Sequence, residues 1–259
     1  MGIHDEIREQ QKKLKGKSLK EKWEYFWEYY KIQSLIALCA IGFIVSIVHD
    51  IATHKDPNFQ AAMLNTSYEI FGTNAEEELP ALFTEYAALD TNKKECTIDL
   101  NSTLNVNYHD SYDVSTQEKI IGLVQTHDLD VLSADEYSFA AFSYNEFFTP
   151  LTDLMSEEEL KKYEGNIYYV DYEKIKLVNQ DSSVVYGEGA QIKNSLANTV
   201  DHRDPSSMED PIPYGIYIDK APLVSKYKLY ETGDAVMGVI TTSYRQDLAV
   251  SYLESLFEE

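Results

Sequence analysis

The sequence predicts an α/β domain that follows a single N-terminal transmembrane helix. An uncharged apolar run, Ile32–Val48, lies early in the chain. Beyond it, strand-like apolar stretches alternate with stretches in which apolar residues recur at helical spacing. The order strand, helix, strand indicates parallel strands joined by crossover helices, so we expect a mostly parallel sheet with helices on both faces.

The individual elements of the domain follow from these patterns. The stretches with the apolar pattern of strands are 59–65, 95–104, 129–132, 166–170, 183–186, 214–218 and 235–241. The stretches with a helical pattern are 75–89, 115–126, 135–144, 156–163 and 246–257. Ser115 or Thr116 is the predicted cap of the second helix. The segment 149–154 is predicted to be a turn, and the polar, Pro-rich segment 201–213 a loop.

The apolar run has the composition of a membrane span. At a rise of ~1.5 Å per residue, a helix needs about 20 residues to cross a hydrocarbon core of ~30 Å. We therefore predict a cytoplasmic helical segment over 1–31, a transmembrane helix over 32–51, a hinge over 52–58 and an extracytoplasmic α/β domain over 59–259.

The flanks of the run predict its orientation. Residues 1–31 hold 8 basic and 6 acidic side chains, whereas residues 52–259 hold 14 basic and 37 acidic ones. Basic residues close to a span stay in the cytoplasm, so we predict a single-pass type II protein of the cell membrane with an extracellular C-terminal domain. The residues expected to form an aromatic belt at the lipid headgroups are Trp23, Tyr25, Phe26, Trp27, Tyr29 and Tyr30.

Three alternatives to a retained anchor stay open. A cleaved signal peptide usually has a short basic region and an apolar core of about 7–15 residues, whereas 31 residues precede this run. A lipoprotein signal would place a small residue before the modified cysteine, but Leu38 precedes Cys39. A buried helix of a soluble domain would not explain the aromatic flank. The retained anchor is the favoured interpretation.

Composition excludes several function classes. The chain has 44 acidic and 22 basic residues, a net charge of −22, which would repel a nucleic-acid backbone. Cys39 lies within the predicted transmembrane helix and Cys96 in the extracytoplasmic domain, so the two are not expected to pair. Cys96 is expected to be a small buried residue, with an intermolecular bridge or a reactive thiol as the alternatives.

No stretch of the chain has the spacing of a catalytic, cofactor or metal motif, so we predict a non-enzymatic protein without cofactor or metal. The acidic residues of the loop 201–213 could hold calcium, but they lack the spacing of an EF-hand and a solvated loop is favoured. These residues are Asp201, Asp204, Glu209 and Asp210.

Two stretches of the domain carry a family resemblance. Leu129–Leu132 (L-D-V-L) is followed by a helix and then by F-T-P-L-T-D-L at 148–154, and the chain ends with a strand at 236–240, a polar turn and a helix. Both stretches resemble type 2 periplasmic solute-binding proteins, the extracellular subunits of bacterial ABC transporters. The resemblance implies a solute-binding-protein-like fold and a role in transport, with a second lobe reduced to fit within residues 160–230.

The resemblance, together with the rule that open α/β sheets bind ligands at the carboxyl ends of their strands, nominates a binding site. The candidate ligand-binding residues are Asn65, Thr66, Ser67, Asp135, Tyr137, Tyr214, Thr241, Thr242 and Ser243. The 20 tyrosines of the chain suit recognition of a sugar or a peptide.

Three functions are therefore weighed. The first is a membrane-anchored binding protein for a small solute or a partner. The second is a structural or assembly subunit of a membrane complex that keeps the fold without a working pocket. The third is a hydrolase with an unrecognised site, which the absence of any motif disfavours.

Overall fold

A computed structural model of the chain describes residues 16, 18–53, 55–92, 94–106, 110–180, 200–231 and 233–258. The chain divides into two compact units, residues 1–54 and residues 55–259. We call them the N-terminal and the C-terminal unit.

The N-terminal unit consists of one long helix, α1 (Leu19–Thr53). A capping box begins it, because the Ser18 amide donates to the Glu21 carboxylate and the Glu21 amide donates to the Ser18 hydroxyl. Its last 24 residues, Tyr30–Thr53, are long and apolar enough to cross a membrane and are not buried within the structure. Length and composition alone do not separate a membrane anchor from a signal sequence at this position.

Four aromatic side chains of α1 stack along one side of the helix. Trp23 lies 6.0 Å from Phe26 and 6.1 Å from Trp27 between ring centroids, and Phe26 lies 5.9 Å from Tyr30. The spacing of three and four residues places them on the same helical face. α1 is continuous from this aromatic stretch through the apolar run.

The C-terminal unit contains a six-stranded sheet with the order β2-β1-β3-β6-β5-β4. The strands are β1 (Asp56–Met63), β2 (Lys94–Asp99), β3 (Val131–Asp135), β4 (Ile167–Asp171), β5 (Pro211–Tyr217) and β6 (Ala235–Val239). The helices are α2 (Ala75–Tyr86), α3 (Ser111–Gln125), α4 (Glu136–Ser143), α5 (Leu151–Leu154), α6 (Glu157–Leu160), α7 (Tyr172–Gln180), α8 (Pro222–Lys226) and α9 (Gln246–Leu256).

The sheet is mixed, which corrects the prediction of a mostly parallel sheet. β1 is parallel to β2 and to β3, whereas the pairs β3–β6, β6–β5 and β5–β4 are antiparallel. The connection 218–234 begins and ends at the same edge of the sheet, so β6 is antiparallel to β5. Apolar patterning shows that a stretch is a strand, but it carries no information about the direction in which that strand pairs.

The predicted reduced second lobe is absent from the residues that the structure describes. Residues 160–180 and 200–230 instead supply β4 and β5, which extend the single sheet beyond β6. Ile216 in β5 and Tyr168 in β4 are fully buried, so these strands belong to the same cores as the rest of the sheet.

Helices cover both faces of the sheet. Alternate residues of β1 face opposite sides: Phe59 lies in the core that α2, α5, α8 and α9 cover, whereas Ala62 lies in the core that α3, α4 and α7 cover. The prediction of an α/β fold is therefore confirmed.

Two glycines on neighbouring strands make room for an aromatic stack. Phe139 and Phe148 stack with their ring centroids 4.3 Å apart. A Cβ at Gly238 of β6 would lie 2.6 Å from the Phe148 ring, and a Cβ at Gly215 of β5 would lie 2.9 Å from Phe139. Because no side chain fits at either position, the rings can lie directly on the backbone of the sheet.

Several predicted elements differ from those of the structure. α3 begins before its predicted start because Asp110 is the cap, its side chain accepting from the amides of Tyr112 and Asp113. The predicted turn at 149–154 contains the short helix α5. α7 and α8 were not predicted, and the predicted strand 183–186 lies outside the described residues.

Candidate functional site

The parallel strands β1 and β3 end side by side, and a cleft lies where they end. Asn65 follows β1, Asp135 ends β3, and the loop 100–106 after β2 forms a wall. The cleft has a volume of about 320 Å³. We call it the carboxyl-edge cleft; its lining includes Asn65, Asn105, Asp113, Asp135, Tyr137 and Ser138.

Asn65 joins the three segments that build the cleft. Its backbone has a φ of 57°, a left-handed conformation that asparagine tolerates better than most residues. Its side-chain amide donates to the Leu104 carbonyl at 3.0 Å and to the Asp135 carboxylate at 2.6 Å, and its side-chain carbonyl accepts from the Leu104 amide at 2.8 Å. The Ser138 hydroxyl oxygen lies 3.0 Å from the same amide nitrogen and shares its hydrogens. Asn65 therefore holds the loop wall and the start of α4 in place.

Asp99 fixes the base of the loop wall. Its carboxylate accepts from the Asn101 amide at 2.9 Å, from the Ser102 hydroxyl at 2.5 Å and from the Lys119 ammonium at 2.6 Å. Burial of the carboxyl group opposes ionisation, but the hydrogen bonds from Lys119, Ser102 and Asn101 outweigh it and lower the pKa of Asp99. The ionised Asp99 carboxylate thus holds the loop in place.

The described lining of the carboxyl-edge cleft carries negative charge only. Its ionisable acids are Asp113, which accepts from the Asn105 amide at 2.8 Å, and Asp135, which caps α4 by accepting from the Ser138 amide. None of the described residues that line it is a lysine, an arginine or a histidine. The cleft therefore presents amide, hydroxyl and carboxylate groups that suit a neutral polar or cationic ligand.

Thr66 and Ser67 lie beside the cleft and do not line it. The Thr66 hydroxyl donates to the Leu100 carbonyl at 2.5 Å. The Ser67 hydroxyl donates to the Glu231 carboxylate at 3.2 Å in a second depression of about 410 Å³, whose walls include Glu69, Asp219 and Lys228.

Three residues that sequence reasoning missed interact at the same edge of the sheet. The Tyr217 hydroxyl donates to the Glu136 carboxylate at 2.9 Å, and the Arg203 guanidinium lies 3.4 Å from the centroid of the Tyr217 ring. Arg203 also forms ion pairs with Asp219 at 3.4 Å and with Asp234 at 3.2 Å. Arg203 lies in the segment that was predicted to be a solvated loop, where nothing in the sequence showed that it would return to the sheet.

Burial raises the pKa of Glu136, and the neighbouring charge of Asp234 raises it further. The Tyr217 hydrogen bond and Arg203 act in the opposite direction without cancelling these effects. Ionisation of Glu136 is therefore less favourable in the folded protein than in the unfolded chain.

The other nominated residues lie away from the cleft. Tyr214 of β5 is 4% exposed and packs inside the core, where burial raises its pKa to about 12. Thr241, Thr242 and Ser243 lie at the opposite edge, because β6 runs antiparallel to β3.

At that opposite edge the turn after β6 forms a buried ion-pair cluster. Asp130, which is fully buried, accepts from the Ser243 hydroxyl at 2.6 Å, from the Gln60 amide at 2.8 Å and from Arg245 Nε at 3.0 Å. The Thr242 hydroxyl donates to the Val124 carbonyl at 2.7 Å. These bonds tie the last helix to β1 and β3, which is a structural role.

Two further expectations concern thiols and metals. Cys96 is a free, partly buried thiol in β2, and burial raises its pKa to about 11, which disfavours the reactive thiolate. Within the described part of the chain, no group of three or more His, Cys, Asp and Glu side chains is placed to hold a metal ion. In the loop 201–213, which was predicted to be solvated rather than to hold calcium, the Asp204 side chain accepts from the Ser206 amide.

Comparison with known proteins does not assign the chain to a family. No protein-family model matches it, and no curated protein matches it.

Proposed function

We propose that the protein is a membrane-anchored, extracytoplasmic binding protein that holds a small polar ligand in the carboxyl-edge cleft. The observation that carries the proposal is the convergence of Asn65, Asp135 and Tyr137, three residues nominated from the sequence, on one open cleft. The cleft lies at the carboxyl ends of two parallel strands, where open α/β sheets bind ligands.

The chemistry of the lining favours a sugar or the amino group of a peptide or amino acid. Asn105 supplies an amide group, Ser138 a hydroxyl and Tyr137 an aromatic ring with a hydroxyl, whereas the Asn65 amide is bound to Leu104 and Asp135 and shapes the cleft. A volume of about 320 Å³ is near the lower end of the ~300–1,000 Å³ typical of ligand pockets, so the ligand is small. The carboxylates of Asp113 and Asp135 disfavour an anionic one.

The anchor in this proposal is α1. Its apolar residues 30–53 would span the cell membrane, with the basic N-terminal residues in the cytoplasm and the C-terminal unit outside. The resemblance to extracellular solute-binding proteins agrees with this arrangement and suggests delivery of the ligand to a transporter. The protein acts by binding and not by catalysis.

A ligand screen tests the proposal. The full chain in lipid nanodiscs is heated with monosaccharides, amino acids, dipeptides or anionic controls such as citrate, and its melting temperature is followed. A ligand that binds the folded state raises the melting temperature by mass action. We expect a shift with one neutral or cationic class; shifts with the anions alone would contradict the proposal.

The second candidate function is a subunit that assembles with a membrane protein partner. One observation favours it: a solvent-exposed apolar groove on the C-terminal unit, lined by α2, α8 and α9. The groove lies on the helical layer that covers the Phe59 side of the sheet.

A further inference from the structure

The groove between α2 and α9 has an apolar floor. Leu79 and Phe83 of α2 and Tyr252 and Leu256 of α9 form this floor, and each is at most 2% exposed. The volume is about 140 Å³, close to that of an engineered cavity of about 150 Å³ that binds benzene. The α2/α9 groove therefore has room for one aromatic or large aliphatic side chain.

The rim of the groove is apolar and exposed to solvent. Leu82 is 38% and Tyr86 is 46% exposed, and both lie on the same face of α2 as Leu79 and Phe83. Leu223 of α8 also lines the groove. Such a rim around a buried floor is the geometry of a pocket that receives an anchoring side chain from a partner.

The charges around the groove are mainly acidic. Glu258 lines it, and Glu254 lies one turn earlier on α9; the negative charges of both add to the effect of burial in raising the pKa of Tyr86. The nearby cation on the α8 side, Lys226, contacts Glu78 at 4.0 Å and donates to the Tyr227 hydroxyl at 2.9 Å. The acidic side chains on the α9 side have no such cation in the described contacts.

We propose that the α2/α9 groove binds a segment of a partner protein that inserts one bulky apolar side chain and places lysine or arginine beside it. Apolar burial supplies the affinity, and the carboxylates of Glu254 and Glu258 select a basic partner. A second copy of this chain would bring another acidic surface to the groove and is disfavoured by repulsion. The inference goes beyond ligand binding and concerns a different surface from the carboxyl-edge cleft.

Three short peptides test the chemistry of the partner. The full chain in phosphatidylcholine nanodiscs is titrated with acetylated, amidated Lys-Lys-Phe-Lys-Lys, Glu-Glu-Phe-Glu-Glu and Lys-Lys-Ala-Lys-Lys, with empty nanodiscs as the blank. We expect the first peptide to bind at least tenfold more tightly than either of the others. Equal binding of the two lysine peptides would show that the net charge of the protein, and not insertion of the Phe side chain, causes the binding, and would overturn the inference. Preferential binding of the glutamate peptide would overturn it as well.

Two matched variants locate the binding. Leu82→Lys places a cation on the groove rim, and Val114→Lys places the same charge on α3, at a site that is 39% exposed and lies on the other face of the sheet. We expect Leu82→Lys to weaken binding of Lys-Lys-Phe-Lys-Lys at least tenfold and Val114→Lys to leave it within twofold. Equal weakening by both variants would overturn the inference.

Two further readouts keep the outcomes separate. The melting temperature of each variant shows that it is folded, and binding of a carboxyl-edge ligand should be unchanged in Leu82→Lys. If Leu82→Lys loses peptide binding but keeps ligand binding, the loss reports on the groove and leaves the ligand-binding proposal intact. Dimerisation of the wild type that Leu82→Lys abolishes would instead assign the groove to self-association and contradict a basic partner.

Discussion

Asn65 is the residue on which the carboxyl-edge cleft most depends. It bonds to the loop wall through Leu104 and to the start of α4 through Asp135 and Ser138. The pattern that nominated it was simple: it is a polar residue directly after a buried strand. What the sequence could not show was the left-handed backbone that turns its side chain toward both segments.

Replacement of Asn65 tests this role. We expect Asn65→Ala to lower the free energy of unfolding by about 1–3 kcal/mol, because it leaves partly buried polar groups without partners. Asn65→Gly removes the same side chain but accommodates the φ of 57°, so it should be more stable than the alanine variant by about 1 kcal/mol. Denaturant unfolding measures both, and an alanine variant as stable as the wild type would contradict the role.

Glu136 should make the stability of the protein depend on pH. Its pKa is higher in the folded state than in the unfolded state, so ionised Glu136 lowers the free energy of unfolding above the folded-state pKa. This destabilisation disappears as the pH falls through the folded-state pKa towards the unfolded-state pKa. Glu136→Gln keeps an acceptor for Tyr217. We expect it to melt at a higher temperature than the wild type at pH 7.5, with the difference shrinking near pH 4.

An exposed glutamate provides the control for this effect. Glu118 lies on the solvent side of α3, and Glu118→Gln should leave the melting temperature nearly unchanged at both pH values. If Glu136→Gln lowered the melting temperature at pH 7.5, the charged form of Glu136 would be favourable and the direction of its pKa shift would be wrong.

At the scale of elements, the first half of the domain was more predictable than the second. The alternation of strand and helix before β3 is local information, and it identified β1, α2, β2 and β3 but not all of their bounds. The predicted strand 95–104 ends at Asp99, and the predicted strand 129–132 overlaps β3 only at residues 131 and 132. The placement of Asp135 and Tyr137 at the cleft followed, because the ends of parallel neighbours share one edge of a sheet.

The second half depends on long-range pairing that local patterns do not encode. Thr241, Thr242 and Ser243 follow an apolar strand just as Asn65 does, yet β6 runs the other way and carries them to the opposite edge. Tyr214 is a strand residue whose burial depends on the register of β5 with its neighbours. Arg203 reaches Tyr217 only because its loop folds back on the sheet.

The glycines of β5 and β6 give a prediction at this scale. We expect Gly238→Ala to destabilise the protein by about 1–3 kcal/mol, since its Cβ would lie 2.6 Å from the Phe148 ring. Gly122→Ala is the matched control: it lies inside α3 with no atom within 4 Å of the new Cβ, and should stabilise by about 0.5–1 kcal/mol. A neutral Gly238→Ala in denaturant unfolding would show that the ring stack can shift without cost.

For the whole molecule, the proposed anchor predicts the location of each terminus. Alkaline phosphatase fused after residue 259 should be active in intact bacterial cells, because the enzyme matures outside the cytoplasm, whereas the same reporter at the N-terminus should be inactive. Mass spectrometry of the membrane-extracted protein should find the intact N-terminus. A chain shortened to a residue after 48 would identify the apolar run as a cleaved signal sequence.

The central claim at this scale is that the carboxyl-edge cleft binds a ligand. Tyr137 lines the cleft, whereas Tyr244 is 79% exposed and lies in the turn after β6 at the opposite edge of the sheet. Tyr137→Ala and Tyr244→Ala thus remove the same side chain from the two edges.

The most direct test is calorimetric titration of the wild type and these two variants with the ligand class that raises the melting temperature. We predict that Tyr137→Ala weakens binding at least tenfold while Tyr244→Ala binds as the wild type does. Unchanged affinity in Tyr137→Ala, or an equal loss in both folded variants, would contradict a binding site in the carboxyl-edge cleft.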